Sequence, residues 1–253
     1  MILDSFRLTG KNALVSGSSR GMGAAIAVAL AEAGANVALH ASKSVPSAVV
    51  YRVAQTGVRH VELAADLRNS DRCPQLIDQA VAALGSIDIL VNNAGITHRA
   101  SAVDYLVADW DEVLATNLTS VFRLCQCAGR LMLAQGFGKI VNIASLLSFQ
   151  GGITVPAYAA AKGGVAQLTK ALANEWAAHG VQVNAIAPGY MATDLTQVLQ
   201  NDPNRSRQIL ERIPAARWGS PQDVAGAAVF LASPASDYIN GHILVVDGGW
   251  LAR

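Results

Sequence analysis

KNALVSGSSRGMGAAIAVALAEA, residues 11–33, is the stretch whose reading decides the fold. It opens on a short apolar run without polar alternation, as expected of a strand covered on both faces. A glycine-rich turn follows, Ser16-Gly17-Ser18-Ser19-Arg20-Gly21-Met22-Gly23, and then an alanine-rich helical stretch that Gly34 terminates. Glycines allow a tight turn and a close backbone approach, and the free N–H groups of a helix N-terminus attract a pyrophosphate. Many strand-to-helix corners carry glycine for steric reasons alone, so the turn needs company before it reads as a nucleotide site. A phosphate loop of the GK[ST] kind is excluded, because no such triplet follows.

The same rhythm runs through the rest of the chain. Apolar runs at 36–40, 58–64, 87–92, 139–144, 181–187 and 242–246 are rich in Val, Ile and Leu, and helical stretches lie near 75–84, 109–134, 157–178 and 221–232. This alternation predicts an α/β fold, a doubly wound parallel sheet of about seven strands with helices on both faces. No linker, repeat or low-complexity segment divides it, so residues 1–253 are expected to form a single domain.

Composition narrows the partners. The 253 residues are 52% apolar and 15% charged with a net charge of +1. Lys and Arg are scattered, which argues against a nucleic-acid or membrane surface and for a small-molecule substrate. Cys73, Cys125 and Cys127 are odd in number and form no CxxC pair; they read as buried thiols of a reducing compartment, and no metal site is expected. The start, MILDSFRLTGKNALV, has no basic region leading into a long apolar core, and the apolar run at 22–39 is broken by Glu32 and Gly34. A cytoplasmic protein is expected.

In doubly wound sheets, ligands lie outside the carboxyl ends of the strands. There the chain has the small polar tip Asn92-Asn93-Ala94-Gly95 and, after the third strand, Asp66, placed to accept from an adenine amino group. Asn, Asp and Gly are also ordinary turn formers, and it is their joint placement that points to a ligand. Further on, IASLLSFQGGITVPAYAAAKGGV sets Ser145 before Tyr158 and Lys162, the last two four residues apart at a helix start. Residues i and i+4 share a helix face about 6 Å apart along the axis. An ammonium beside a phenol favours the anion, bringing a group that titrates near pH ~10 within reach of acid/base work. The same spacing arises by chance, with the Tyr half-buried and the Lys in solvent.

With SGSSRGMG, Asp66, NNAG, Asn117, Ser145, YAAAK and Pro188-Gly189 in order, the chain resembles the short-chain dehydrogenase/reductase family along essentially its full length. Ser16 stands where that family usually has Thr, with the hydroxyl retained. The resemblance implies a Rossmann-type fold, a nicotinamide cofactor and a catalytic tetrad of Asn117, Ser145, Tyr158 and Lys162. In the implied chemistry Tyr158 donates a proton to the developing alkoxide, Ser145 orients the carbonyl, and Lys162 lowers the tyrosine pKa and holds the nicotinamide ribose. Asn117, a poor residue for mid-helix, is implied to kink its helix and anchor a water leading to Lys162; a buried polar cap is the plainer alternative. Cofactor contacts are implied for Gly17, Ser19, Arg20, Gly21, Met22, Gly23, His40, Ser42, Lys43, Asp66, Leu67, Asn93, Ala94, Gly95, Tyr158, Lys162 and Met191, with Pro188, Gly189 and Thr193 around the carboxamide. The second strand ends in His40-Ala41-Ser42-Lys43, without the acid that holds the ribose of NAD. Arg20, Ser42 and Lys43 are suited to a 2′-phosphate, so NADP(H) is favoured over NAD(H).

Finer segments, NIASLLSFQGG, NAIAPGYMATD, ERIPAARWGSPQDV and VDGGWLAR, are similar to the branch of that family acting on sugar acids such as 2-dehydro-3-deoxy-D-gluconate and gluconate. An acidic sugar needs a cation, and His98 and Arg99 are the candidates, with Leu147, Gln150 and Trp218 joining Ser145 and Tyr158 around the substrate. Residues 190–217 interrupt the rhythm and are expected to form a lid. Members of the family are commonly homotetramers, so the Trp250-Leu251-Ala252-Arg253 tail is expected at a subunit interface, within reach of a neighbour's site. Two alternatives stay open, a 3-oxoacyl thioester reductase and a non-catalytic dinucleotide sensor; the intact tetrad speaks against the second.

Overall fold

A computed structural model describes residues 1–253. Seven strands, β1 (Asn12–Ser16), β2 (Asn36–Ala41), β3 (His60–Ala64), β4 (Ile89–Asn92), β5 (Gly138–Ile143), β6 (Val181–Pro188) and β7 (Ile243–Val246), form one sheet in the order β3-β2-β1-β4-β5-β6-β7. Every pairing is parallel. Winding reverses between β1 and β4, and such a reversal opens a crevice at the carboxyl ends of the strands.

Period-two alternation explains how five central strands stay buried along almost their whole length. Leu14 and Val15 are both fully buried, yet Leu14 packs with Leu76, Leu90 and Leu124 on one face and Val15 with Ile26, Val37 and Val224 on the other. The first face is covered by α3 (Arg72–Leu84), α5 (Ser120–Gln135) and α6 (Pro156–Trp176), the second by α1 (Gly21–Glu32), α2 (Ser47–Ala54) and α9 (Pro221–Ala232). Burial on both faces fails at the edge strands, where Glu62 and Val245 are exposed.

Three elements differ from the sequence reading. The stretch expected as one helix near 109–134 is α4 (Val107–Leu114), a π turn at Ala115–Thr119 and then α5. The interruption falls at Asn117, whose side chain is committed to the loop after β4. Such π turns concentrate at functional sites. Within 190–217, α7 (Gln197–Asn201) and α8 (Pro203–Arg212) fold as helices. The Asp202 carboxylate caps α8 by accepting from Asn204 and Arg205 N–H, both at 3.0 Å, with Pro203 at the first position. The short α2 was also unread; it follows Pro46 and buries only Val53.

Candidate active site

The glycine turn closes against the tip of β4. A Cβ on Gly17 would lie 2.8 Å from the Ala94 Cα, and one on Gly23 only 2.2 Å from the Gly17 carbonyl oxygen and 2.4 Å from Asn93 Nδ2. Gly17 has φ +66°, the left-handed region that favours glycine. Asn93 donates to the Ser16 and Gly17 carbonyls at 3.1 and 3.0 Å, and Ser16 Oγ accepts from the N–H groups of Asn93 and Ala94. A hydroxyl suffices for that lock, so serine serves where threonine is usual.

His40 braces the same turn from β2. Its Nδ1 accepts from Gly17 N–H at 3.1 Å, so the ring proton sits on Nε2 and donates to the Ala65 carbonyl at 2.9 Å. Burial pushes its pKa down, keeping the ring neutral. Both ring nitrogens are thereby committed to the protein, and a contact with the cofactor falls to the rest of the residue.

Around the turn opens a cleft of about 700 Å³. Gly17, Ser19, Arg20, Gly21, Met22 and Gly23 line it, as do His40, Ser42, Asp66, Leu67, Asn93, Ala94, Gly95, Arg99, Tyr158, Lys162 and Thr193. Lys43 is exposed and lies outside the lining, which leaves Arg20 as the cation beside Ser42. Pro188 and Gly189 end β6, where Gly189 N–H bonds to the Val246 carbonyl at 2.9 Å. Met191 lies outside the lining, its side chain buried against Gly219 and its carbonyl accepting from the Thr196 hydroxyl. A dinucleotide fits these residues: the cradle has no room for a Cβ, it opens onto the α1 N-terminus, and the buried Thr116 hydroxyl in the lining has no partner within the protein.

Tyr158 and Lys162 line one end, and Ser145 stands beside the Tyr158 phenol, outside the lining. Ser145 Oγ accepts from Leu147 N–H at 3.2 Å, leaving its own proton free to donate. Ser148 accepts from Ser145 N–H and donates to the Lys162 carbonyl at 2.7 Å, tying the turn after β5 to α6. Lys162 is 3% exposed, and its Nζ donates to the Ile143 carbonyl, 5.6 Å from the Tyr158 ring centroid. The expectation that Lys162 lowers the tyrosine pKa requires correction here. Burial pushes the Tyr158 phenol up, opposed by the Ser145 hydroxyl and the Arg99 charge, and Lys162 is turned to a carbonyl instead. Asn117 is fully buried and pairs both amide groups with the Ile96 backbone, accepting at 2.9 Å and donating at 2.8 Å. That is a cap on the loop after NNAG.

Burial lowers Lys162 from 10.5 to about 8. The unfolded chain then holds this proton over a range where the folded chain has released it, so the group's cost to stability is fully present below about pH 8 and lifts as the pH rises to 10.5. At pH 7 the fold carries a desolvated cation costing about 3 kcal/mol. Lys162→Met is therefore expected to stabilise the protein at pH 7 by about 2 kcal/mol, less than the full amount because the Ile143 carbonyl loses its donor. Urea unfolding at pH 7 and 10 measures this; a less stable variant at pH 7 would contradict it.

A chain of ion pairs and hydrogen bonds runs along the rim. Asp66 is engaged by Arg68 (Nη2 at 2.6 Å), Arg68 reaches Glu112 at 3.0 Å, and Glu112 reaches His98 Nε2 at 2.7 Å. Arg68, first through its hydrogen bonds, holds the Asp66 and Glu112 carboxyls below their usual range. His98 thus faces carboxylates, which rules it out as a free cation for an acid, whereas the neighbouring Arg99 forms no ion pair and lines the cleft. Arg68, Glu112, Thr116 and Asp194 also line the cleft without having been expected there; Arg68 and Asp194 directly follow the expected Leu67 and Thr193, a signal that was there.

Gln150, Trp218 and Leu147 lie outside the cleft lining. Gln150 Oε1 accepts from Trp250 Nε1 at 3.3 Å and Arg212 at 3.4 Å, and the Arg212 guanidinium stacks 4.1 Å over Trp250. Tyr190 packs edge-on to Trp218 and against Trp250, so the helices of 190–217 are fastened to the tail of their own chain. Arg253 adds bonds to the Glu211 and Arg212 carbonyls.

A family model described as Enoyl-(Acyl carrier protein) reductase matches residues 17–251. The 2-dehydro-3-deoxy-D-gluconate 5-dehydrogenase of Escherichia coli (strain K12) is 53% identical over 254 residues, 100% of each chain. The 5-keto-D-gluconate 5-reductase of the same organism is 40% identical over 249 residues, 98% of each. A crystal structure of a gluconate 5-dehydrogenase from Burkholderia cenocepacia J2315, in complex with NADP and tartrate, is 40% identical and superposes with a TM-score of 0.94 over 100% of each chain.

Proposed function

The chain belongs to the short-chain dehydrogenase/reductase family, and on that premise we propose that it interconverts a keto group and a secondary alcohol on a sugar acid of the 2-dehydro-3-deoxy-D-gluconate or gluconate type. NADP(H) is the preferred cofactor, in keeping with the absent acid after β2 and with Arg20 in the lining. The observation that carries the reading is an unpaired Arg99 sharing the cleft with Tyr158, close enough for its charge to act on the phenol.

When bound, the nicotinamide supplies or accepts the hydride. Ser145, its acceptor side taken by Leu147 N–H, gives its proton to the substrate carbonyl oxygen as a hydrogen bond and fixes the orientation. Tyr158 transfers its phenolic proton to the alkoxide as it forms; burial keeps that proton in place until then. Asn117 holds the loop that presents Arg99, and Lys162 lies buried behind the phenol for the ribose. Arg99 takes the substrate carboxylate, and residues 190–217 act as the lid of a single domain, with Gln150 and Trp218 at its seat.

Arg99→Gln is expected to raise KM for sugar acids about 10- to 100-fold, the range of a charged hydrogen bond, with kcat changed little. The wider test is a spectrophotometric screen of keto and hydroxy sugar acids with both cofactors. Activity confined to 3-oxoacyl thioesters would favour the thioester reductase alternative.

Assembly as a cytoplasmic homotetramer completes the reading. It is supported by free thiols at all three cysteines and by exposed Leu106, Val107, Trp110 and Phe122 on or beside α4 and α5. No helix is long and apolar enough to cross a membrane. A sedimentation mass of one chain would exclude the tetramer.

A further inference from the structure

On the adenosine side of the cleft Arg68 is taken by Asp66 and Glu112, which leaves Arg20 as the lining cation for a 2′-phosphate, and Arg20 is turned away from it. Arg20 Nη1 lies 3.0 Å from Asp194 Oδ2. Asp194 follows β6, while Ser42 follows β2, and the sheet order puts these strands on opposite sides of β1, at whose end Arg20 stands. One guanidinium fork cannot satisfy anions in both directions. The two side chains are 76% and 68% exposed, so neither is packed in place, and Asp194 accepts no hydrogen bond in capping its own turn, where Thr193 and Thr196 do that work.

We propose that Asp194 is a cofactor-specificity residue: it competes with the cofactor's 2′-phosphate for Arg20, so that NADP(H) binding breaks the Arg20–Asp194 pair and NAD(H) binding leaves it intact. The proposal rests on the reading that Arg20 meets the 2′-phosphate. A doubly charged phosphate outbids a carboxylate for the guanidinium, whereas the ribose hydroxyl of NAD(H) does not. The carboxylate therefore lowers affinity for the phosphorylated cofactor alone. Because Thr193, Asp194, Leu195 and Val198 line the cleft together, the exchange also frees the segment after β6 from the glycine turn when NADP(H) arrives.

The test is the Kd of NADPH and of NADH, by fluorescence titration of the intact protein, for the native chain, Asp194→Asn, Arg20→Gln and the double variant. Asp194→Asn is expected to tighten NADPH about 2- to 5-fold, the range of an exposed ion pair, and to leave NADH unchanged. Arg20→Gln should weaken NADPH about 10-fold or more with little effect on NADH, and Asp194→Asn should add nothing in that background. If Arg20→Gln acts selectively on NADPH while Asp194→Asn leaves NADPH unmoved, or shifts both cofactors alike, the competition is wrong. Equal weakening of both cofactors by Arg20→Gln overturns instead the phosphate reading beneath it.

Discussion

Tyr158→Phe lowers kcat by about 10³-fold and leaves the fold and cofactor affinity nearly unchanged. The substitution removes one hydroxyl and keeps the ring at the start of α6. A positioned general acid contributes about 10²- to 10⁴-fold, and no other side chain is placed to replace this one: Lys162 is committed to the Ile143 carbonyl, and Ser145 has a proton to share in a hydrogen bond and no acidity to give it up. Single-turnover reduction with saturating cofactor isolates the step. A loss below about 10-fold would mean that the proton comes from elsewhere.

Gly23→Ala acts through the cradle. Its Cβ would sit 2.2 Å from the Gly17 carbonyl oxygen and 2.4 Å from Asn93 Nδ2, and the first of these is backbone that cannot swing aside. We expect a loss of about 2 to 4 kcal/mol in stability, from overpacking and from breaking the Asn93 bonds to Ser16 and Gly17, and a loss of at least about 100-fold in cofactor affinity. Gly226→Ala is the control: it lies in α9 with open space around its Cβ, and helix propensity alone should make it stabilising by about 0.5 to 1 kcal/mol. Thermal unfolding and cofactor titration of both variants separate the cradle from the general cost of adding a methyl group.

Much of this was legible because the period of the apolar residues and the place of the glycines are local facts. Leu14 and Val15 announce a strand covered twice, and Gly17 and Gly23 announce a backbone that must come close to something. Periodicity does not show the π turn, which only the resemblance implied as a kink at Asn117, because its cause is distant: Asn117 is a helix residue by neighbourhood and leaves the helix pattern to pair with Ile96, 21 positions away. His40 lines the cleft as expected, but the commitment of both its ring nitrogens to Gly17 and Ala65 was hidden for the same reason. The charges of Arg20, Arg99 and His98 look alike in a string; the structure gives one an acid across the cleft, one none and one a carboxylate on α4. Partners at long sequence separation decide those fates.

The ion pairs from Asp66 through Arg68 and Glu112 to His98 have a consequence for how the enzyme responds to its surroundings. They join the tip of β3 to the loop that carries Arg99, and they do so at the rim, where mobile ions compete. The screening length is about 8 Å in a physiological medium and about 3 Å in molar salt. In dilute buffer the loop is held by its charges together with neutral hydrogen bonds; in brine it is held by the neutral bonds, from Asn117 to Ile96, from Tyr105 to the His98 carbonyl and from Ala100 N–H to the Thr154 carbonyl. Apparent preference among sugar acids is then partly a property of the solution, and rankings of substrates measured at different ionic strengths describe differently stiffened versions of the same protein.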